Sequence, residues 1–202
     1  MTTRTQLKAE SLQRILDASA SRLRQEGLSG AAIANVMRDA GLTHGAFYAH
    51  FASKGELAMA ALRHALLGNR RRWIGELKHD SWMQRLQRLA RRYLTKAHRD
   101  KPAEGCALAA VATEAARSDA AFRQAYEDEL RKSLHAICCG SKAEAIPTDE
   151  HLDDAIAFMA LSIGGISLAR AVSDDAFSER ILQACIAAAG RIASEPPHPD
   201  DH

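Results

Sequence analysis

Aromatic residues are scarce in this chain, at 5% of 202 residues, and few segments alternate β-branched or aromatic residues with polar ones. That argues against a β-rich fold. Hydrophobic residues still reach 47%, with Ala dominant, which favours closely packed helices. The length allows one large or two small domains with a substantial core. The four cysteines (Cys106, Cys138, Cys139 and Cys185) lack C-x-x-C spacing and are too few for a disulfide scaffold, so reduced thiols are expected. No apolar run in the sequence approaches the length of a membrane span, and no basic-then-apolar leader opens it, so a cytoplasmic protein without a membrane partner is expected.

Catalytic signatures are missing as well. The sequence has no His-Glu-x-x-His, Gly-rich phosphate loop, Gly-x-Ser-x-Gly or zinc-type Cys/His spacing. His50, His64 and His79 are isolated in pattern, and His198 and His202 sit in a Pro-rich tail. The expectation is therefore a protein that is not an enzyme and uses neither metal nor cofactor. The net charge of +2 is small but uneven. Residues 1–80 carry 12 Lys and Arg against 7 Asp and Glu, whereas residues 81–202 carry 15 against 18. A basic head on a mildly acidic body suits a chain whose first part meets nucleic acid. Arg70, Arg71 and Arg72 also read simply as a solvated helix face.

The informative stretch is Val36 to Leu57. Val36 and Met37 end an apolar stripe begun at Ile33, and Gly41 stands where a helix must stop and a positive φ is useful. Leu42 tucks beneath the turn, and Thr43 is a suitable N-cap for a short helix over 43–50. Ala46 or Phe47 and then Phe51 would point inward, leaving Thr43, His44, Gly45, Tyr48 and His50 outward. Packing does not explain an outward Tyr and two outward His on so short a helix. Phosphates and base edges do. Ser53 and Glu56 have capping-box spacing and start a third helix, with Lys54 in its first turn as a phosphate contact.

Residues 10–60 resemble the N-terminal DNA-binding domain of the TetR/AcrR family of transcriptional regulators. The resemblance rests on Arg14-Ile15-Leu16, Gly27, Ala40-Gly41-Leu42-Thr43, Gly45, Phe47-Tyr48, His50-Phe51, Ser53-Lys54 and Leu57. It implies an all-α protein: a three-helix helix-turn-helix domain over residues 1–52, then a helical effector-binding and dimerisation domain over 53–195. Helix 53–78 would link the two, about nine helices would make up the whole, and residues 196–202 would be a disordered tail. The family usually places a Thr or Ser cluster before its second helix. Here Ser29-Gly30-Ala31-Ala32 stands there, leaving Ser29 as cap and phosphate contact.

Along the rest of the chain, the first helix runs from about Leu7 to Gln25 with Leu12, Ile15, Leu16, Ser19 and Leu23 on one face. Arg4 and Lys8 read either as a basic arm or as disordered. Asp80-Ser81 caps a helix with Leu86, Leu89, Tyr93, Leu94 and Ala97 inside and Arg85, Arg88, Arg92, Lys96 and Arg99 outside, broken at residues 100–105. Further helices are expected at 106–117, 119–137, 149–172 and 176–193, with a loop over 140–148. The last two are rich in small residues, including Ala160, Gly164, Gly165, Ser167, Ala184, Ala187 and Ala188. These suit either a four-helix dimer interface or packing within one subunit.

Within the family frame, the expected partners are double-stranded DNA carrying a palindromic operator, a second copy of the chain, and an unknown small-molecule effector that releases a repressor. His44 is the specificity side chain, Gly45 and Ala46 allow close approach or touch a thymine methyl, and Thr43, Tyr48, His50 and Lys54 set register on phosphates. The large residues available as effector-pocket walls are Trp73, Trp82, Met83, Tyr93, Phe122, Tyr126, Phe158 and Met159. Cys106, after Gly105 at a helix start, reads either as a thiol sensor of electrophiles or oxidants or as a small buried hydrophobe. Glu104-Gly-Cys-Ala-Leu108 resembles an element of a subgroup that includes electrophile-responsive regulators. A different class also stands open: a helical protein-interaction module without DNA binding.

Overall fold

The structure, a computed structural model, describes residues 3–75, 80–140 and 144–192. The expected tail over 196–202 lies outside the described residues, as do residues 76–78 of the linking helix and Ala193. Among the described residues there are nine α-helices and no strand. They are α1 (Arg4–Glu26), α2 (Ile33–Asp39), α3 (Lys54–Asn69), α4 (Trp82–Tyr93), α5 (Lys96–Asp100), α6 (Ala107–Ala115), α7 (Ala120–Cys139), α8 (Asp149–Ala171) and α9 (Asp175–Ala189). The chain forms two compact units. One comprises residues 1–72 and 101–133, the other 73–100 and 134–202.

In the first unit, α1 starts earlier than its apolar face suggests. A capping box links Thr3 and Gln6, so Arg4 and Lys8 are exposed helical residues and not an arm. Ile15, Val36, Met37, Ala40, Phe47, Phe51 and Leu57 form one buried cluster, with Leu12, Leu16, Ile33 and Leu42 packed against it. Gly41 takes φ 65°, as the turn requires.

The segment after α1 is held from a distance. Gly27 takes φ 67° and passes its N–H to Leu23 O. Glu114 of α6 accepts the Leu28 N–H at 3.1 and 3.2 Å through its two carboxylate oxygens. A Cβ at Gly27 would run into that carboxylate. Gly27→Ala should therefore destabilise the first unit by about 1–3 kcal/mol, from left-handed strain plus a displaced carboxylate. Urea unfolding of the two proteins measures the difference.

Asn69 pins the other end of α6. Its side chain, 7% exposed, donates to Gly105 O at 3.2 Å and accepts the Ala107 N–H at 3.2 Å. Beyond Asn69, α3 continues as a π-helical turn over Arg70–Ile74.

In the second unit, Ser81 and Gln84 form the capping box that opens α4. Two expectations fail here. Arg85 is buried at 5% exposure, with Nη2 donating to Ala136 O at 3.0 Å, so a long side chain crosses the helix surface to satisfy a carbonyl. The apolar stripe also loses phase, because α4 ends at Tyr93 and Leu94 has ψ 68°. α5 then starts afresh, turning Ala97 out and His98 and Arg99 in. Arg99 binds Ser178 Oγ at 2.8 Å and pairs with Asp175.

Helix α8 corrects the reading of hydropathy. It has 23 residues, and an 18-residue window of mean hydropathy 1.5 makes it long and apolar enough to cross a membrane by length and composition. Only 33% of that window is buried within the chain. Gly165 lies on the inner side, where a Cβ would stand 2.7 Å from Cys185 Sγ of α9.

Candidate nucleic-acid interface

Residues 44–49 wind as a 3-10 helix and not the α-helix expected over 43–50. Ala46 N–H bonds Thr43 O and His50 N–H bonds Phe47 O, both three residues back. Six residues interrupted by Gly45 offer little for α-helical propagation, which accounts for the tighter winding. Thr43 is the N-cap by backbone position, without a side-chain cap bond.

Phe47 is fully buried, and its ring anchors the turn from below. Tyr48, 65% exposed, stands edge-on to Phe47 at 5.1 Å and to His44 at 5.9 Å. Thr43, His44 and Gly45 are exposed, and Ala46 is half-buried. A Cβ at Gly45 would meet nothing within 4 Å, so internal packing does not demand a glycine there. The result is a bare backbone between an exposed imidazole and an exposed phenol.

His50 faces outward less than its sequence position suggests. It is half-buried, with Nε2 2.9 Å from Ser11 Oγ of α1. Burial, with Lys8 nearby, lowers its pKa. Lys54 is the first residue of α3 and exposed. Ser53 Oγ caps that helix by accepting Glu56 N–H at 3.1 Å, but the Glu56 carboxylate accepts from Ala52 N–H, one residue before the expected box partner. Ser29 does not cap α2. Its hydroxyl donates to Glu26 O at 2.7 Å, and the N-cap is Ala32.

A further pair fixes α2 against α1: Arg22 Nε donates to Asp39, whose pKa is lowered by that hydrogen bond and by the guanidinium charge. For a carboxylate held below its ordinary value, the stabilisation is complete above pH ~4 and is lost as pH falls through the depressed folded value. Asp39→Asn should therefore melt below wild type at pH 7, with the gap closing towards pH 3. Thermal melts at the two pH values check the sign.

The residues proposed as effector walls fall into separate groups. Trp73, Tyr93 and His98 pack edge-on or tilted in one cluster with centroids 4.5–5.1 Å apart. Trp82 stacks on His151 at 4.3 Å and donates its indole N–H to Asp154 at 2.7 Å. Met83 is 41% exposed and is not a buried wall in the chain. Phe122, Phe158 and Met159 are buried. Tyr126 donates to Leu108 O at 3.2 Å, and burial pushes its phenol pKa up to about 12, with Cys106 adding to the shift. Cys106 is 4% exposed and is the N-cap residue of α6.

Of the small residues proposed for an interface, Ala160, Ser167, Ala184 and Ala187 are exposed, and Gly164 and Ala188 are half-buried. Gly165 instead serves the α8–α9 contact. Sequence reasoning missed Ser11, Arg22, Asn69 and Glu114. Each acts through a partner 17 to 86 residues away, and no local pattern announces such a pair.

Two helices joined by a left-handed Gly41, with an exposed turn seated on a shared core, define a helix-turn-helix DNA-binding protein. Residues 15–61 match the family model described as "Bacterial regulatory proteins, tetR family". Over these residues the N-terminal head carries the sequence signature of that family. Among curated proteins none matches the sequence.

Solved structures share the fold. E. coli NemR in its reduced form is 19% identical with a TM-score of 0.70, covering 93% of this chain and 100% of NemR. A TetR-family regulator from Cytophaga hutchinsonii is 20% identical with a TM-score of 0.69, covering 94% of this chain and 98% of that one. SCO4454, a TetR-family regulator from Streptomyces coelicolor, is 19% identical with a TM-score of 0.65, covering 96% and 97%.

Proposed function

We propose that the chain is a cytoplasmic, homodimeric repressor that binds a palindromic operator and is released by a small-molecule effector, without enzymatic activity. The carrying observation is the exposed His44-Gly45 and Tyr48 surface on a turn anchored by buried Phe47. His44 is the specificity residue, Gly45 and Ala46 let the backbone approach base edges, and Thr43, Tyr48, Lys54 and His50 meet phosphates, with Ser29 at the edge of the contact.

So short a turn reads few base pairs, and the exposed face of α8 supports a second copy. Ile156 (47% exposed), Ala157, Ala160, Ser167, Leu168 (59%) and Ala171 recur at helical spacing along it. Two heads about a two-fold axis would read half-sites whose centres lie roughly 34–36 Å apart or somewhat more. The domain plan follows the same reading: residues 1–52 read DNA, 53–195 sense and dimerise.

Tyr48→Phe and Lys54→Ala should each weaken binding to all duplexes, whereas His44→Ala should change preference at one or two base positions. Binding measured at 50 and 200 mM salt against a panel of duplexes tests the roles together. Uniform loss in His44→Ala would remove its specificity role, and an absence of salt dependence would favour the interaction-module reading.

A second reading makes Cys106 a thiol sensor. It is favoured by the helix start that Cys106 caps and by the proximity of Arg24, whose charge acts on the thiol. Cys106→Ser that keeps a normal DNA-release response to electrophiles and oxidants would end it.

A further inference from the structure

The first unit carries a cleft of about 360 Å³ between α1 and the end of α3, closed on one side by Glu104. Its charges do not cancel. Asp17 is paired with His64 at 2.7 Å and also accepts from Gln13. Glu104 faces Arg72 at 3.6 Å and Lys101 at 3.8 Å. Both carboxylates in the lining thus already have hydrogen-bond or ion partners.

Arg24 and Arg71 remain. Arg24 donates Nε–H to Ala103 O at 2.6 Å, and among the described residues its terminal nitrogens, like all of Arg71, have no hydrogen-bond or ion partner. Burial lowers the Arg24 pKa and the positive charge of Arg72 lowers it further, against opposing pulls from Cys106, Asp17 and Glu104. Three guanidinium groups therefore line the cleft, and those of Arg24 and Arg71 keep N–H groups unspent. Ala20, Ala65 and the half-exposed Leu67 also line the cleft and supply apolar surface.

We propose that this cleft is a binding site for a small organic anion, a carboxylate or a phosphate monoester with an apolar group. The anion seats between Arg24 and Arg71, and its apolar part lies along Leu67 and Ala65. Guanidinium groups match planar and tetrahedral oxyanions through paired N–H donors. The volume lies at the small end of the range typical of ligand pockets. The site is distinct from the aromatic groups proposed as effector walls, and it does not depend on the DNA-reading assignment.

The test uses amide chemical shifts of the full chain, isotope-labelled, titrated at low chloride with benzoate and, separately, with phenyl phosphate. Benzyl alcohol is the neutral control. One anion or both should give saturable shifts at Ala20, Leu67 and Gly68, with a dissociation constant on the order of millimolar for so small a probe. The tighter of the two names the headgroup class. Arg71→Gln, at an exposed position where folding is undisturbed, should weaken that binding by about five-fold or more. Arg24→Gln should do the same. Absence of saturable shifts at these residues with either anion, equal binding by benzyl alcohol, or unchanged affinity in Arg71→Gln would overturn the proposal.

Discussion

Leu168→Glu is expected to yield a monomer that binds a palindromic duplex at least about 100-fold more weakly than the parent, because one head is left to hold a site built for two. Leu168 is 59% exposed in the chain, on a helix whose apolar window is only 33% buried there. On the proposed reading this open apolar face packs on a second copy of the chain. A carboxylate on this exposed face would have to be desolvated on packing against a second copy. Ile156→Glu, at 47% exposure on the same helix, should act in the same direction. Light scattering after size exclusion reads the mass. A Leu168→Glu protein that remained a dimer would move the interface away from α8.

Phe47→Ala is expected to cost about 3–5 kcal/mol, the range for truncating a fully buried phenylalanine. Its ring is inaccessible to solvent, stacks on Phe51 at 5.8 Å, and supports Tyr48 edge-on at 5.1 Å. Small domains hold roughly 5–15 kcal/mol in total, so a large share of the stability of the unit would go. The DNA-reading surface would go with it, since His44 and Tyr48 depend on that anchor. Urea unfolding followed by circular dichroism measures the cost, and a loss below about 1 kcal/mol would mean that the turn is not held from beneath by this ring.

The helix-turn-helix was legible because its signals are local. Gly41 ends α2 with the positive φ that its position calls for, Ser53 caps α3, and the buried spacing of Ile15, Val36, Met37, Phe47 and Phe51 is the spacing of the apolar residues in the chain. What the sequence hid depends on distance. Ser11 engages His50, Arg22 engages Asp39, and Glu114 engages Leu28, each across a separation at which periodicity carries no information. Arg85 and Arg99 look like solvent residues by type, yet they are buried because carbonyl and carboxylate partners from other helices meet them. The shift of phase at Leu94 also lies beyond pattern reading, because no Pro or Gly marks the break between α4 and α5.

On the proposed function this head reads DNA as one half of a symmetric pair. Selection of bound duplexes from a random pool, with competitor DNA present and salt fixed, tests it most directly. The expected result is enrichment of a palindrome whose half-site centres lie about one helical turn or somewhat more apart, and loss of that enrichment in Tyr48→Ala. A folded, dimeric protein that enriched no sequence, or only an asymmetric one, would contradict it.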